Sequence, residues 1–299
     1  MGFRYSALAG LKSPAACASI GAKEDPMSKD LPVLGAALSL DMFAHHRDWI
    51  LADQRDLELQ SFCWPNSSDA DLRKMVARAK ELLDGYEGRL GLHGPFTSFN
   101  IDCADPEIVE VIRTRMLRVL EITAELGGDQ MVIHSPYSLW KETDLQQNPA
   151  IGFIQVERVR YVLTPVIDRA EELGVTLVIE NVEDITPGLR VDLAAKMKSK
   201  AVKVSLDTGH AQFMHRRCGA PPVDVFVHAA GTALQHVHLQ DIDGYGDRHW
   251  HPGEGTIAWH SVFAALNKLP KMPRLILEVN DEVGLRKGAD YLASLGLAR

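Results

Sequence analysis

From Leu31 onward the chain alternates apolar, strand-like runs with segments of helical periodicity, and it does so eight times. The runs are LPVLGAALSL, LELQSFC, RLGLH, DQMVIH, VTLVIEN, VKVSLD, LQHVHLQ and RLILEV. Helices are expected after them at about 44–53, 69–84, 106–126, 153–173, 189–199, within 211–230, 259–267 and 281–295. A strand followed by a helix returns the next strand parallel to the first, and eight such units close on themselves. The expectation is an α/β chain forming a single (β/α)8 barrel over residues 31–299, preceded by a flexible N-terminal extension at 1–30. The long helices agree: Ile108, Val109, Ile112, Met116, Val119, Leu120 and Thr123 recur at helical spacing and form a stripe able to pack on strands.

Six of the runs end on a residue able to bind a metal, namely His93, His134, Glu180, Asp207, His238 and Glu278. One strand-end His or Glu is as readily a hydrogen-bonded structural residue as a ligand. In a parallel barrel, however, all C-terminal strand ends meet on one face, so six of them imply one shared ring of donors. His, Asp and Glu together suit a divalent ion such as zinc, manganese or magnesium. Specificity should lie in the loops after the strands, where CWPNSSDAD, SPYSLWKETDLQQNP and QDIDGYGDRHWHPGEG carry Trp64, Trp140 and Trp250 as candidate walls of a pocket. Outside the ring, His251 and His260 read as loop and surface residues, and His45, His46, His215 and His228 as solvent-facing helix positions.

A net charge of −8 argues against a protein that coats nucleic acid, although a local basic groove would not register in that sum. The four cysteines, Cys17, Cys63, Cys103 and Cys218, form no C-x-x-C pair and read as reduced thiols, which fits a cytoplasmic setting. Of these, Cys63 is expected as a small buried hydrophobe near the barrel mouth. No run approaches the roughly 18 apolar residues needed to span a bilayer. Homo-oligomerisation is open from sequence alone.

The ordered series LHGPF, VIHSPY, VIENV, SLDTGHA, HVHLQDIDG, DRHWHPGEGTIAW and LILEV resembles the xylose isomerase-like TIM barrel superfamily, which contains sugar isomerases and epimerases and endonuclease IV. The isomerase and epimerase branch implies one divalent metal held by Glu180, Asp207, His238 and Glu278. There Glu180 and Glu278 would be the catalytic pair, carrying a proton off and back onto a sugar, keto-sugar or sugar phosphate through a cis-enediolate. Asn181, Arg248 and Trp250 would then contact substrate. The endonuclease IV branch implies three zinc ions, adding His93, His134, His210, Asp247 and His249 as ligands, and phosphodiester hydrolysis at abasic DNA. Two departures weigh against that branch: Gly209 stands where its cysteine is expected, and one extra residue separates His93 from Asn100. A keto-sugar or inosose dehydratase and a barrel retained only for binding are further alternatives. The expected partner is a small carbohydrate rather than nucleic acid or membrane.

Overall fold

A computed structural model describes residues 31–65 and 68–299. The extension expected at 1–30 lies outside the described residues. The strands are β1 (Gly35–Leu38), β2 (Leu57–Leu59), β3 (Leu90–His93), β4 (Gln130–His134), β5 (Thr176–Glu180), β6 (Val202–Asp207), β7 (Leu234–Leu239) and β8 (Arg274–Leu277). Every neighbouring pair is parallel, and β1 pairs with β8 to close the barrel in the order β1 to β8.

Alternation along each strand decides which side chains face outward. Leu57 and Leu59, Leu90 and Leu92, Met131 and Ile133, Leu177 and Ile179, and Leu275 and Leu277 join the large apolar cluster shared with the helices. The positions in the other phase point into the barrel, and many are polar. Near its N-terminal end, Arg274 approaches Gly91 and Gln130. Above them, Glu58 of β2 reaches across to His236 and His238 of β7. Barrels of this kind are more often filled by Val, Ile and Leu. Here the helices outside supply much of the apolar burial, through residues such as Ile112, Met116 and Leu120 that are fully buried.

The helices are α1 (Leu40–Ala52), α2 (Asp69–Leu82), α3 (Pro106–Glu125), α4 (Leu139–Gln147), α5 (Pro149–Leu173), α6 (Pro187–Lys196), α7 (Thr208–Cys218), α8 (Val223–Ala230), α9 (Trp259–Leu266) and α10 (Arg286–Ser294). Their starts are chemically marked. Ser39 and Ser68 accept hydrogen bonds from the backbone of Met42 and Asp71, and Asp105 precedes Pro106 at the first turn of α3. Two departures from the expected pattern stand out. The SPYSLWKETDLQQNP segment, read as a loop, contains α4, capped at its start by Ser138. The turns expected within 211–230 are the two helices α7 and α8, separated at Gly219, whose φ of 75° ends α7 in the left-handed region. No helix of the described residues is long and apolar enough to cross a membrane.

Candidate metal and catalytic site

The six strand-end residues meet at the C-terminal mouth of the barrel beside a cavity of 530 Å³. Asp207 does most to organise the mouth. It ends β6 and, as the N-cap of α7, accepts the backbone N–H of His210 at 2.6 Å. Helix α7 therefore starts with no intervening loop, and His210, one turn in, faces the same mouth. The loop after β7 brings up Asp247 and His249. It is held by Asp241, whose buried carboxylate accepts from the N–H groups of Ile242, Gly253 and Ile257 and from the Trp259 indole.

Among the described residues, five groups have ligand atoms within 4.8 Å of one another, two of them containing Glu58 and three covering the nine expected donors. Glu180, Asp207, His238 and Glu278 form one; His93, His134 and Glu180 a second; His210, Asp247 and His249 a third. Glu180 belongs to two of them. One carboxylate oxygen lies 3.2 Å from His238 Nδ1, and the other lies 3.6 Å from His93 Nε2 and 3.7 Å from His134 Nε2. In the third group, Asp247 lies 3.4 Å from His210 and 3.1 Å from His249.

Two observations show that these residues fit divalent ions. First, Glu180 Oε2 is buried yet accepts no hydrogen bond, a costly state that a cation between it and the two imidazoles would relieve. Second, four of the histidines have one ring nitrogen tied to an oxygen that can only accept. His93 Nδ1 donates to the Gly94 carbonyl at 2.8 Å, and His210 Nδ1 to the Asn181 carbonyl at 2.9 Å. His249 Nδ1 donates to the Glu278 carbonyl at 3.3 Å, and His238 Nε2 to the Glu58 carboxylate at 3.1 Å. In each case the remaining nitrogen faces its donor group, the tautomer arrangement that outer hydrogen bonds impose on metal-binding imidazoles.

Without an ion, protons balance the charge. Burial opposes ionisation of Glu180, but His238, which hydrogen-bonds its other oxygen, and the nearby His93 and His134 imidazoles outweigh it and hold the carboxyl well below its usual range. Burial likewise opposes protonation of His249, while Asp247, Glu278 and Asp207 hold its proton up to about 9. His210 is also raised against burial, chiefly by Asp207. Burial dominates at His134, whose ring is pushed down to about 3.

Several residues expected at the site stand elsewhere. Arg248 does not line the cavity: its guanidinium is paired with Asp243 at 3.0 Å and sits over the Trp250 ring. Trp250 joins Asp241 in a short antiparallel bridge. Asn181 spends its amide on the backbone of Asp207, accepting from its N–H at 2.8 Å and donating to its carbonyl at 3.0 Å. Trp140 is 79% exposed and away from the cavity, whereas Trp64 lines it beside Phe96. Cys63 also lines it, though buried, and burial pushes its thiol up to about 12.

Two histidines expected to face solvent are buried, because the loop after β8 closes over them. His46 contacts the Glu282 carbonyl at 2.6 Å, and His251 contacts Asp281 at 3.2 Å.

Residues that the strand-end pattern overlooks are Glu58, Gln60 and Gln240. Glu58 is buried between His236 and His238, at 2.9 and 3.1 Å, and Gln60 donates to Glu278. The H-x-H of β7 was the available signal for Glu58, since residues two apart on a strand share a face. Two interior imidazoles call for a buried acid.

A family model described as xylose isomerase-like TIM barrel matches residues 54–295. The chain is 26% identical over 207 residues to the uncharacterized protein MJ1311 of Methanocaldococcus jannaschii, a match covering 66% of this chain and just under two thirds, 66%, of that one. Among solved structures it is similar to a D-tagatose 3-epimerase-like protein, with a TM-score of 0.67 at 20% identity over 88% of this chain and 98% of that one. It is also similar to the TTHB071 protein of Thermus thermophilus, from a crystal soaked with ZnCl2, with a TM-score of 0.65 at 24% identity over 89% and 99%. With the closed eight-stranded barrel, the family match over most of its length makes this chain a member of the xylose isomerase-like TIM barrel family.

Proposed function

We infer that the protein is a divalent-metal-dependent isomerase or epimerase of a keto-sugar, working by proton transfer between Glu180 and Glu278. The observation that carries this reading is the pairing of those two carboxylates with Asp207 and His238 in one donor group at the cavity. A bound manganese, magnesium or zinc ion would supply Lewis acidity at a substrate carbonyl and its neighbouring hydroxyl. Asp207 and His238, together with Glu180 and Glu278, would hold that ion. Glu180, kept ionised by its imidazole neighbours, is suited to accept a carbon-bound proton. Glu278, oriented by Gln60, would return one from its protonated form, so the two carboxyls exchange protonation states in each turnover. Delivery to the opposite face of the carbon inverts it, and delivery to the adjacent carbon moves the carbonyl.

The described lining of the cavity contains no lysine or arginine, which favours an uncharged sugar over its phosphate. Trp64 and Phe96, with ring centroids 6.0 Å apart, offer an apolar wall for a sugar's C–H face.

The test is a panel of free ketoses incubated in deuterated water with metal-loaded protein and read by NMR. Deuterium at the epimerised or isomerised carbon is expected, lost by at least about 100-fold in Glu180→Gln and Glu278→Gln. Turnover without solvent exchange, or unchanged rates in both variants, would refute the pair.

One observation favours a second reading. All nine donors implied by the endonuclease IV resemblance converge in three groups, more than a one-metal isomerase requires. Three tightly held zinc ions per chain together with cleavage of abasic DNA would establish a phosphodiesterase instead.

A further inference from the structure

Gln240, just past the end of β7, has no role in the chemistry above, yet its fully buried side chain touches two donor groups. Nε2 lies 3.2 and 3.3 Å from the two oxygens of Asp207 and 3.1 Å from Asp247 Oδ1. Oε1 accepts the backbone N–H of His249 at 3.0 Å. Carboxylates need a donor and an N–H needs an acceptor, so only this orientation of the amide satisfies all partners. Asp207 belongs to the group shared with Glu180, His238 and Glu278, whereas Asp247 and His249 belong to the group with His210. One side chain therefore spans both.

The Asp247–His249 segment needs such an anchor. His249 has a φ of 48°, left-handed backbone that a histidine seldom adopts unaided. Besides Gln240, it is tied at the backbone to Asn280, whose N–H donates to the His249 carbonyl at 2.9 Å and whose side-chain amide donates to the Arg248 carbonyl at 3.0 Å.

The amide fits because residue 209 is glycine. A Cβ there would overlap the Gln240 amide. Gly209 lies in the first turn of α7 without a positive φ, so its backbone would accept alanine or cysteine, and the three atoms nearest to an added Cβ all belong to the Gln240 side chain. The glycine of the DTGH motif thus serves space rather than conformation.

We propose that Gln240 is a positioning residue that clamps the Asp247–His249 arm to Asp207, and that Gly209 and Gln240 form one steric unit in which a side chain at 209 and a glutamine at 240 exclude each other. The clamp is independent of which reaction the site performs. Its bearing on metal occupancy rests on the metal-site reading above.

The experiment has a steric arm and a positioning arm, both on the full-length chain. In the first, melting temperatures are measured for Gly209→Ala, Gln240→Ala and the double variant. Gly209→Ala is expected to lower the melting temperature in the wild-type background and to cost nothing further in the Gln240→Ala background. An equal drop in both backgrounds would overturn the steric unit.

In the second, backbone hydrogen exchange over 247–250 is compared between wild type and Gln240→Met, which keeps volume but loses donor and acceptor. Protection of the His249 amide is expected to fall about tenfold or more, as for a lost hydrogen bond. Unchanged protection would overturn the clamp. Zinc per chain, counted by elemental mass spectrometry after dialysis, separates this idea from the metal reading. Selective loss of one ion in Gln240→Met supports the clamp acting on the arm. A wild type that binds nothing at the arm overturns only the arm's metal role, and the exchange result still decides the clamp.

Discussion

Glu58 offers a sharp test of how the barrel interior supports its mouth. Its carboxylate accepts from His238 Nε2 at 3.1 Å and lies 2.9 Å from His236, while His238 presents Nδ1 to Glu180 and Glu278 at 3.2 and 3.3 Å. Glu58 is almost wholly buried. Burial opposes its charge, but the two imidazoles prevail and hold the carboxyl well below its usual range. Removing the outer partner of a metal-bound histidine costs roughly 10–100-fold in affinity, or about 1.4–2.7 kcal/mol.

The structure separates two points within that range. Glu58→Gln keeps an acceptor oxygen for His238 and loses only the charge, so about tenfold weaker zinc binding is expected. Glu58→Leu strips the acid from Nε2 of both His238 and His236 in a dry interior, so about 100-fold is expected, together with loss of folding stability. Competition against a chromophoric chelator measures the affinity, and urea unfolding of the metal-free chain measures the stability. The sign with pH also follows: because the folded carboxyl titrates below its ordinary value of 4.5, its stabilising contribution is present above about pH 4.5 and lost on acidification. Zinc affinities within twofold of wild type for both variants, with an unchanged urea midpoint, would refute the argument.

Metal uptake should itself depend on pH. His249 keeps its proton up to about 9 in the metal-free chain, so an ion at the arm must displace it, and affinity is expected to strengthen as pH rises toward that value. The same raised value means that the stability contributed by protonated His249 is full below about pH 6.5 and fades as pH passes about 9. Zinc titrations across that window with an indicator for released protons check both signs, and a flat affinity profile would contradict them. Asp241→Ala strands four donors that now converge on one buried carboxylate. A loss of at least about 3 kcal/mol is expected, lowering the melting temperature by roughly 6–12 °C; a drop below about 2 °C would show that the 241–259 loop is held by something else.

Much of this arrangement was legible because barrel geometry converts sequence order into convergence. Strand runs could be read from apolar patterning, and the last residue of each had to lie on the shared face, so the ring from His93 to Glu278 followed. DTGH placed His210 one helical turn beyond Asp207, which the capping aspartate makes literal. Side-chain direction in the long loops was not legible. Arg248 could as readily have faced a substrate as Asp243, and only the folded loop decides. The burial of His46 and His251 depends on residues 281 and 282, far away in sequence for His46. Helix α4 was hidden because its nine residues bury little apolar surface; its one buried residue, Glu142, caps the backbone N–H groups of Ile185 and Thr186. Gln240 was hidden because its side-chain partners, Asp207 and the Asp247–His249 arm, come from two different segments.

Asp207 also bears on how knockouts in this family are interpreted. A single carboxylate ends a strand, starts a helix, anchors the Gln240 amide and contributes to a donor group. An inactive Asp207 variant would therefore report a shifted His210 and a loosened arm along with any missing ligand, and its rate loss could not be assigned to chemistry. Glu180 starts no helix, and its neighbours are other donors, so substitutions there give the more interpretable measure of what the reaction itself demands.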